Sequence, residues 1–172
     1  TNWKAEAQKF ECNSLGGLPE NTKSTIYITC VDNVQTRFDI AEMLKAMSKQ
    51  RRANRDEPKY WLDFGNSQYT GQVILSTIGS IKQPDSEKYE AVARLPMVTD
   101  EFGELLKQSE QTDDTPSCSL AEALEKQDLY INATLAQMGC SLLWSMFRYG
   151  MTENRGFFLN LKNFQTQPLK VA

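Results

Sequence analysis

The sequence predicts an α/β fold with a mixed parallel and antiparallel sheet and helices on both of its faces. Over residues 25–64, an apolar stretch, an amphipathic stretch and a second apolar stretch follow one another, and the order β-α-β implies parallel strands. The next apolar stretch begins about half a dozen residues later, which is short enough for an antiparallel hairpin. With 172 residues, 40% hydrophobic and 24% charged, the chain can bury a core, and we expect residues 1–172 to form a single domain.

Hydrophobic periods indicate the elements of the first half. Residues 25–31 (TIYITCV) are β-branched and nearly all apolar, which predicts a strand that is buried on both faces. Apolar side chains recur every three or four residues over 36–50 and predict an amphipathic helix. Residues 60–64 (YWLDF) predict a second strand, and 72–81 (QVILSTIGSI) predict a third strand as its antiparallel neighbour.

The second half contains a long polar connection and two further helices. Residues 82–118 are polar and acid-rich, which predicts a crossover loop on the surface with a helical turn at 100–108. Helices are predicted over 119–126 and 128–149, and a pair of strands over 156–171.

The stretch 129–147 contains no charged residue and has the length of a membrane span. Several polar side chains and two separate apolar stripes favour instead a core helix that is covered on two sides. We expect Gly139 to allow close approach to the sheet and Cys140 to be buried. One stripe contains Leu129, Ala133, Ala136, Cys140, Leu143 and Phe147, and the other contains Ile131, Leu135, Met138, Leu142 and Met146.

The composition excludes several classes of chemistry. The chain has no histidine, which rules out Ser-His-Asp and Cys-His catalysis, a histidine base and any zinc site with a histidine ligand. Four cysteines are spread singly without a Cys-x-x-Cys pair, so we expect no structural metal and reduced thiols in a cytoplasmic protein. A net charge of −3 argues against a nucleic-acid partner, and nothing in the sequence favours a membrane partner.

The first candidate site follows the strand at 25–31. Asp32 and Asn33 stand where that strand should end, and ligands of open α/β sheets bind outside the carboxyl ends of strands. A carboxylate there can hold a magnesium ion on a nucleotide phosphate. The alternative is an ordinary helix cap, since Asp and Asn side chains accept hydrogen bonds from unpaired backbone amides. Arg37 stands near the helix start, where it can pair with either residue or lie in solvent.

The second candidate is Cys118. Ser119 and Glu122 form the S-x-x-E pattern of a capping box, so Cys118 stands one residue outside a predicted helix N-terminus. The partial positive charge of a helix N-terminus favours a reactive thiolate. The alternative is an incidental cysteine that packs beside the cap.

Three motifs follow one another along the chain: C-x-D-N with T-R over Cys30–Arg37, G-x-x-x-x-x-G-Q-V over Gly65–Val73, and P-x-C-S over Pro116–Ser119. Together they resemble the ThiF/MoeB/HesA family, relatives of the ubiquitin-activating enzymes. Longer stretches, FGNSQYTGQVILST, PSCSLAEALEKQDLYINATLAQMG and RGFFLNLKNFQTQPLKV, resemble the branch of the family found in PRTRC cassettes of bacterial mobile elements. The resemblance implies the C-terminal part of a Rossmann-like, ThiF-type adenylation domain.

The resemblance also implies an activity, which is the ATP-dependent adenylation of the C-terminus of a ubiquitin-like or sulfur-carrier protein. Asp32 would hold Mg on ATP, Asn33 and Arg37 would lie near the nucleotide, and Cys118 would be the nucleophile of an acyl intermediate. The Gly-rich phosphate loop of the family precedes the matched region, so we expect this portion alone to be inactive. Family members commonly dimerise, which makes a homodimer one expectation. The alternative function is a non-catalytic protein-interaction module of the PRTRC cassette.

Overall fold

The computed structural model describes residue 5 and residues 24–49, 57–112 and 127–171, with only the backbone described at 110–112. Within these ranges the chain is an α/β protein with one open, five-stranded mixed sheet in the order β1-β2-β3-β4-β5. The strands are β1 (Ile26–Thr29), β2 (Tyr60–Asn66), β3 (Thr70–Thr77), β4 (Asn154–Asn160) and β5 (Gln165–Lys170). The helices are α1 (Val34–Lys49), α2 (Val98–Glu101), α3 (Gly103–Thr112) and α4 (Ile131–Tyr149). The predicted helix at 119–126 lies outside the described residues.

The strand pairing confirms the mixed sheet. β1 and β2 are parallel, with Tyr27 opposite Trp61. β2 and β3 form the predicted antiparallel hairpin, and β4 and β5 continue the sheet with antiparallel pairing. Polar side chains that follow β1 therefore lie at the same end of the sheet as the end of β2.

Alternate residues of the central strands face two separate cores. Trp61 and Ile74 pack in a core with residues of α1, α2 and α3, whereas Leu62 and Val73 pack in a second core with α4. Both faces of β2 and β3 are therefore covered, which explains why consecutive residues of these strands are apolar instead of alternating with polar ones.

β1 differs from its prediction because it lies at an edge of the described sheet. Its four residues are half-buried or exposed, and Ile28 is 55% exposed. The opposite edge, β5, carries Pro168 and Lys170, two residue types that discourage further strand pairing. β1 contains neither a proline nor a charged residue, so the edge that it forms in the described sheet is chemically able to accept another strand.

The crossover loop is anchored more firmly than its polar sequence suggests. Leu95, Met97 and Val98 are buried, and the Leu95 amide donates to Thr77 Oγ1 at 2.9 Å. The helical turn predicted at 100–108 is two helices, α2 and α3. Residues 113–118 of the loop lie outside the described residues.

α4 buries three residues of one predicted apolar stripe and, of the other stripe, Leu143. Its buried residues are Ile131, Leu135, Gly139, Leu143 and Met146. The prediction that the helix is covered on two sides is wrong for the described part of the chain, since Cys140, Trp144 and Phe147 are exposed. Gly139 does allow the expected close approach, because a Cβ there would lie 2.4 Å from the Phe64 ring. None of the helices in the described ranges combines the length and apolar character needed to cross a bilayer.

Candidate functional site

The candidate site lies at the carboxyl ends of the two parallel strands, where β1 gives way to α1. Asp32 and Asn33 are both exposed in this turn. Asn33 Oδ1 accepts a hydrogen bond from the Thr36 amide at 2.9 Å, so Asn33 caps α1. The carboxylate of Asp32 lies beside this cap and faces solvent, where it can contact a ligand.

Arg37 is buried, and its ion-pair partner is Asp63 on β2 rather than Asp32 or Asn33. Its Nε donates to Asp63 Oδ2 at 3.1 Å and to Oδ1 at 3.3 Å. The two side chains are 5% and 1% exposed, so the pair is removed from solvent. Such a pair is costly to break from one side, because the remaining charge stays in a poorly solvated place.

Asp63 is held by a short chain of polar side chains inside the sheet. The Thr29 hydroxyl donates to Asp63 Oδ1 at 2.8 Å, and the Trp61 indole Nε1 donates to Thr29 Oγ1 at 2.8 Å. Burial raises the pKa of Asp63, and the Arg37 charge and the hydrogen bonds from Thr29 and Arg37 oppose that rise. The Arg37 charge is therefore the largest influence that favours the charged form of this buried carboxylate.

The same guanidinium joins the ends of both parallel strands. Arg37 Nη2 donates to the Val31 carbonyl, next to Asp32, and to the Phe64 carbonyl at 3.0 Å. Arg37 is thus a cross-link between the turn after β1 and the end of β2. Its position fixes where the backbone presents Asp32.

The second motif lies beside the first. A Cβ on Gly65 would lie 2.9 Å from Arg37 Nη2 and 2.2 Å from Gln72 Nε2, so only glycine fits between these side chains without displacing them. Gly71 serves a different contact, because a Cβ there would meet Leu135 of α4 at 2.5 Å. The Cys30–Arg37 and Gly65–Val73 motifs are therefore contiguous in the fold.

Cys30 is an exposed free thiol at the end of β1. Partial burial raises its pKa, the Asp63 charge raises it further, and the Arg37 charge lowers it. A raised pKa keeps the thiol protonated near neutral pH, which does not favour a nucleophilic role for this cysteine.

Sequence reasoning missed Asp63 and Thr29. A signal was present, because Asp63 is the one acidic residue in the apolar strand YWLDF, and a buried carboxylate requires a cation or several donors. Arg37 also shares a helix face with Ala41 and Leu44, which are buried. A cation on the inward face of a helix and an acid inside a neighbouring strand therefore predict a buried ion pair.

Cys118, the predicted nucleophile, lies outside the described residues. Within the described ranges, no group of three or more Cys, Asp or Glu side chains is placed to hold a metal ion. Asp32 nevertheless fits the requirement of a nucleotide-bound magnesium, which commonly takes one or two carboxylates together with phosphates and water. Arg37 does not fit a direct phosphate contact in this arrangement, because Asp63 and two carbonyls engage its guanidinium.

A separate cleft of about 780 Å³ lies at the opposite end of the sheet. It is bordered by Tyr60, Tyr89 and Tyr149 and carries charges of both signs, including Lys88 and Glu90. Tyr60 marks the start of β2, so this cleft is separated from Asp32 by the length of the strand.

No protein-family model matches this chain, and no curated protein is significantly similar to it. The likeness to the ThiF/MoeB/HesA family therefore depends on the three motifs and the longer stretches of sequence around them.

Proposed function

We propose that this chain is the C-terminal part of a ThiF/MoeB-like activating enzyme with a Rossmann-like adenylation domain. The enzyme uses ATP and Mg to adenylate the C-terminus of a ubiquitin-like or sulfur-carrier protein. The observation that carries the proposal is the exposed Asp32 at the carboxyl end of a parallel strand pair, within a C-x-D-N motif.

The arrangement around Asp32 supports the proposal. The C-x-D-N and G-Q-V motifs are far apart in sequence but meet at one end of the sheet, through the contacts of Arg37 with Phe64 and Gly65. Parallel pairing of β1 with β2, followed by antiparallel strands, is also the order expected from the resemblance. β1, at the edge of the described sheet, carries no proline or charged residue and is suited to pair with the strands that would carry a phosphate loop.

In the proposed reaction, a carboxylate oxygen of the carrier protein forms a bond to the α-phosphorus of ATP, and the bond to the departing pyrophosphate breaks. Asp32 would supply a carboxylate oxygen to a magnesium ion on the nucleotide, and Asn33 keeps the start of α1 capped beside it. Arg37 acts as a positioning residue, because its Nη2 donates a hydrogen bond to the Val31 carbonyl, next to Asp32. Cys118 is the proposed acceptor of the acyl group, with AMP as the leaving group.

The test is ATP–pyrophosphate exchange by the full-length protein with candidate carrier proteins. Asp32→Ala should lower the exchange rate by roughly 100-fold or more, because a magnesium ligand is lost. Asp39→Ala is the matched control, since Asp39 is an exposed acid on α1 whose carboxylate accepts a hydrogen bond from Gln35 Nε2 at 2.9 Å. Equal rates for both variants would overturn the role of Asp32.

Cys118 is tested separately from Asp32. Cys118→Ala should leave pyrophosphate exchange unchanged and abolish the covalent adduct with the carrier protein, because the thiol acts after adenylation. An adduct that survives Cys118→Ala would remove Cys118 from the mechanism.

The exposed apolar side chains Trp144 and Phe147 on α4 favour a second candidate function, a protein-interaction module of the PRTRC cassette. The absence of exchange with every carrier protein, in a full-length chain that has an intact phosphate loop, would favour this module over the enzyme.

A further inference from the structure

The cleft at the opposite end of the sheet from Asp32 is a concave feature that the proposed function does not use. Its volume of about 780 Å³ is within the range of sites that hold small organic molecules. Parts of the segment 83–95 form one wall, and the end of α4 with the connection to β4 forms the other. The buried side chains Leu75, Leu95 and Met146 line it together with polar and charged residues. Such a lining is typical of a ligand site.

Three tyrosines line the cleft, and one of them already holds an ammonium group. Lys88 Nζ lies 4.7 Å from the centroid of the Tyr89 ring, which is a cation–π contact. Tyr60 is half-buried and Tyr149 is 75% exposed, so both add aromatic surface to the lining. Burial raises the pKa of Tyr60, so its phenol stays neutral near neutral pH. Because the face of an aromatic ring carries partial negative charge, these rings favour a cation over an anion.

The charged residues of the cleft are of both signs, but they are not equally engaged. The bases are Lys88 and Lys170, and the acids are Glu90 and Glu153. The hydrogen bond to Tyr89 raises the pKa of Lys88, and the Glu153 charge adds to that rise. Within the described residues, no ion pair or hydrogen bond engages the side chains of Lys170, Glu90 or Glu153. Since Tyr89 engages Lys88, two carboxylates and one ammonium remain for a ligand, which favours a cation.

The end of α4 adds partial negative charge to the same cleft. Tyr149, the last residue of the helix, and its C-cap, Gly150, both line the cleft. Gly150 has a φ of 73°, and its amide donates to the Met146 carbonyl at 2.9 Å. Carbonyls at the end of a helix lack partners within the helix and favour a cation nearby. Arg148, in the same turn, is exposed and is not among the residues that line the cleft.

We propose that this cleft binds a small organic ammonium ion with an apolar body. The tyrosine rings, the carboxylates of Glu90 and Glu153 and the end of α4 hold the ammonium group, which competes with Lys88 for the Tyr89 ring. The buried apolar side chains of the lining contact the body of the ligand. The inference is independent of the adenylation activity, because the length of β2 separates the cleft from Asp32.

The first experiment titrates the full chain with phenethylamine, phenethyl alcohol and hydrocinnamate, which share a phenylethyl body and differ in charge. Amide chemical shifts measured by NMR report both the affinity and the place of binding. The amine should bind about tenfold more tightly than the alcohol, and hydrocinnamate should bind more weakly than either. The shifts should be confined to the cleft, as at Glu90, Gly150 and Glu153, and absent at Asn33. The proposal is overturned if the amine does not bind at about 10 mM, or if either other probe binds as tightly.

A second experiment removes one carboxylate and keeps the shape of its side chain. Glu153→Gln should weaken the binding of phenethylamine by about fivefold and leave that of the alcohol unchanged, because only the amine is charged. Glu104→Gln is the matched control, since Glu104 is an exposed acid on α3 that pairs with Lys107 at 3.0 Å and does not line the cleft. Equal affinities of the two variants for the amine would contradict the proposal.

A third experiment tests the competition with Lys88. Lys88→Met removes the ammonium from the Tyr89 ring, so phenethylamine should bind about threefold to tenfold more tightly. Lys82→Met is the control for net charge, since Lys82 is exposed in the same segment and does not line the cleft. Thermal melts followed by circular dichroism check that each variant is folded. An affinity in Lys88→Met that is no higher than in Lys82→Met would overturn the competition and with it the proposed place of the ammonium group.

Discussion

Replacing Arg37 with methionine should destabilise the protein in a way that depends on pH. The substitution leaves the Asp63 carboxylate, 1% exposed, without its counter-charge. An unpaired buried charge costs about 3–5 kcal/mol, and the lost hydrogen bonds to the Val31 and Phe64 carbonyls are part of that cost. Domain stabilities are about 5–15 kcal/mol, so the loss is a large part of the total.

Part of this loss should disappear at acid pH. Without Arg37, the largest influence that lowers the pKa of Asp63 is removed. The Thr29 hydrogen bond remains, and burial holds that pKa above its value in the unfolded chain. A group whose pKa is raised by folding stabilises the native state below the unfolded pKa and loses that contribution as pH rises through the folded pKa. The Arg37→Met variant should therefore become less stable as pH rises.

The reference for this measurement is the double variant Arg37→Met/Asp63→Asn. The Asn side chain keeps an acceptor for the Thr29 hydroxyl but carries no charge. The free energy of unfolding, obtained from urea titrations between about pH 3 and pH 8, should be similar for both variants at the acid end, which lies below the unfolded-chain pKa of aspartate, about 3.9. It should then diverge with rising pH, in favour of the double variant by about 2–3 kcal/mol. Equal stability at pH 8 would refute the buried, Arg-dependent carboxylate.

Three further measurements address the packing and the thiol. Gly139→Ala should lower the free energy of unfolding by about 1–2 kcal/mol, because the added Cβ would lie 2.4 Å from the Phe64 ring; this clash outweighs the helix propensity of alanine, which favours the variant by about 1 kcal/mol. Ser141→Ala, on the exposed face of α4, is the control, and a Gly139→Ala variant more stable than the wild type would contradict the close contact. Gly156→Ala should be worse, since its Cβ would lie 2.2 Å from a backbone carbonyl of β3, and soluble, wild-type-like melting would argue against that β3–β4 register. At pH 8, Cys30 should be alkylated more slowly in the folded chain than in the urea-unfolded chain, as measured by peptide mass spectrometry. In folded Arg37→Met the rate should be lower still, because the cation that lowers the pKa of Cys30 is gone. Equal rates in the folded and unfolded chains would exclude the raised pKa of Cys30.

The order of the first elements could be predicted from sequence because each has a clear hydrophobic period. The helix predicted at 36–50 is Val34–Lys49, and the strand predicted at 60–64 is Tyr60–Asn66. Hydrophobic periodicity reports the local burial of side chains, so it predicts strands correctly where the neighbouring strands are close in the chain. Hydrophobic periodicity does not show which strands lie beside β1. The strand predicted to be buried on both faces instead lies at an edge of the described sheet.

The candidate site was predicted in part for the same reason. The exposed turn at Asp32 and the cap by Asn33 follow from local sequence. The partner of Arg37 does not, because Asp63 is 26 residues away and is brought near only by the parallel pairing. Likewise, two apolar stripes on α4 are visible in sequence, but which stripe meets the sheet depends on tertiary packing.

The pairing of β3 has a consequence for how the chain folds. β2 and β3 are separated by three residues, so their hairpin can form from local contacts, whereas Val73 of β3 pairs with Phe157 of β4, roughly 80 positions later. The loop-closure entropy of that pairing must be paid before the second half of the sheet contributes. The β4–β5 hairpin should therefore join after β1–β3, and during synthesis one side of β3 stays unpaired until residues 154–170 have left the ribosome.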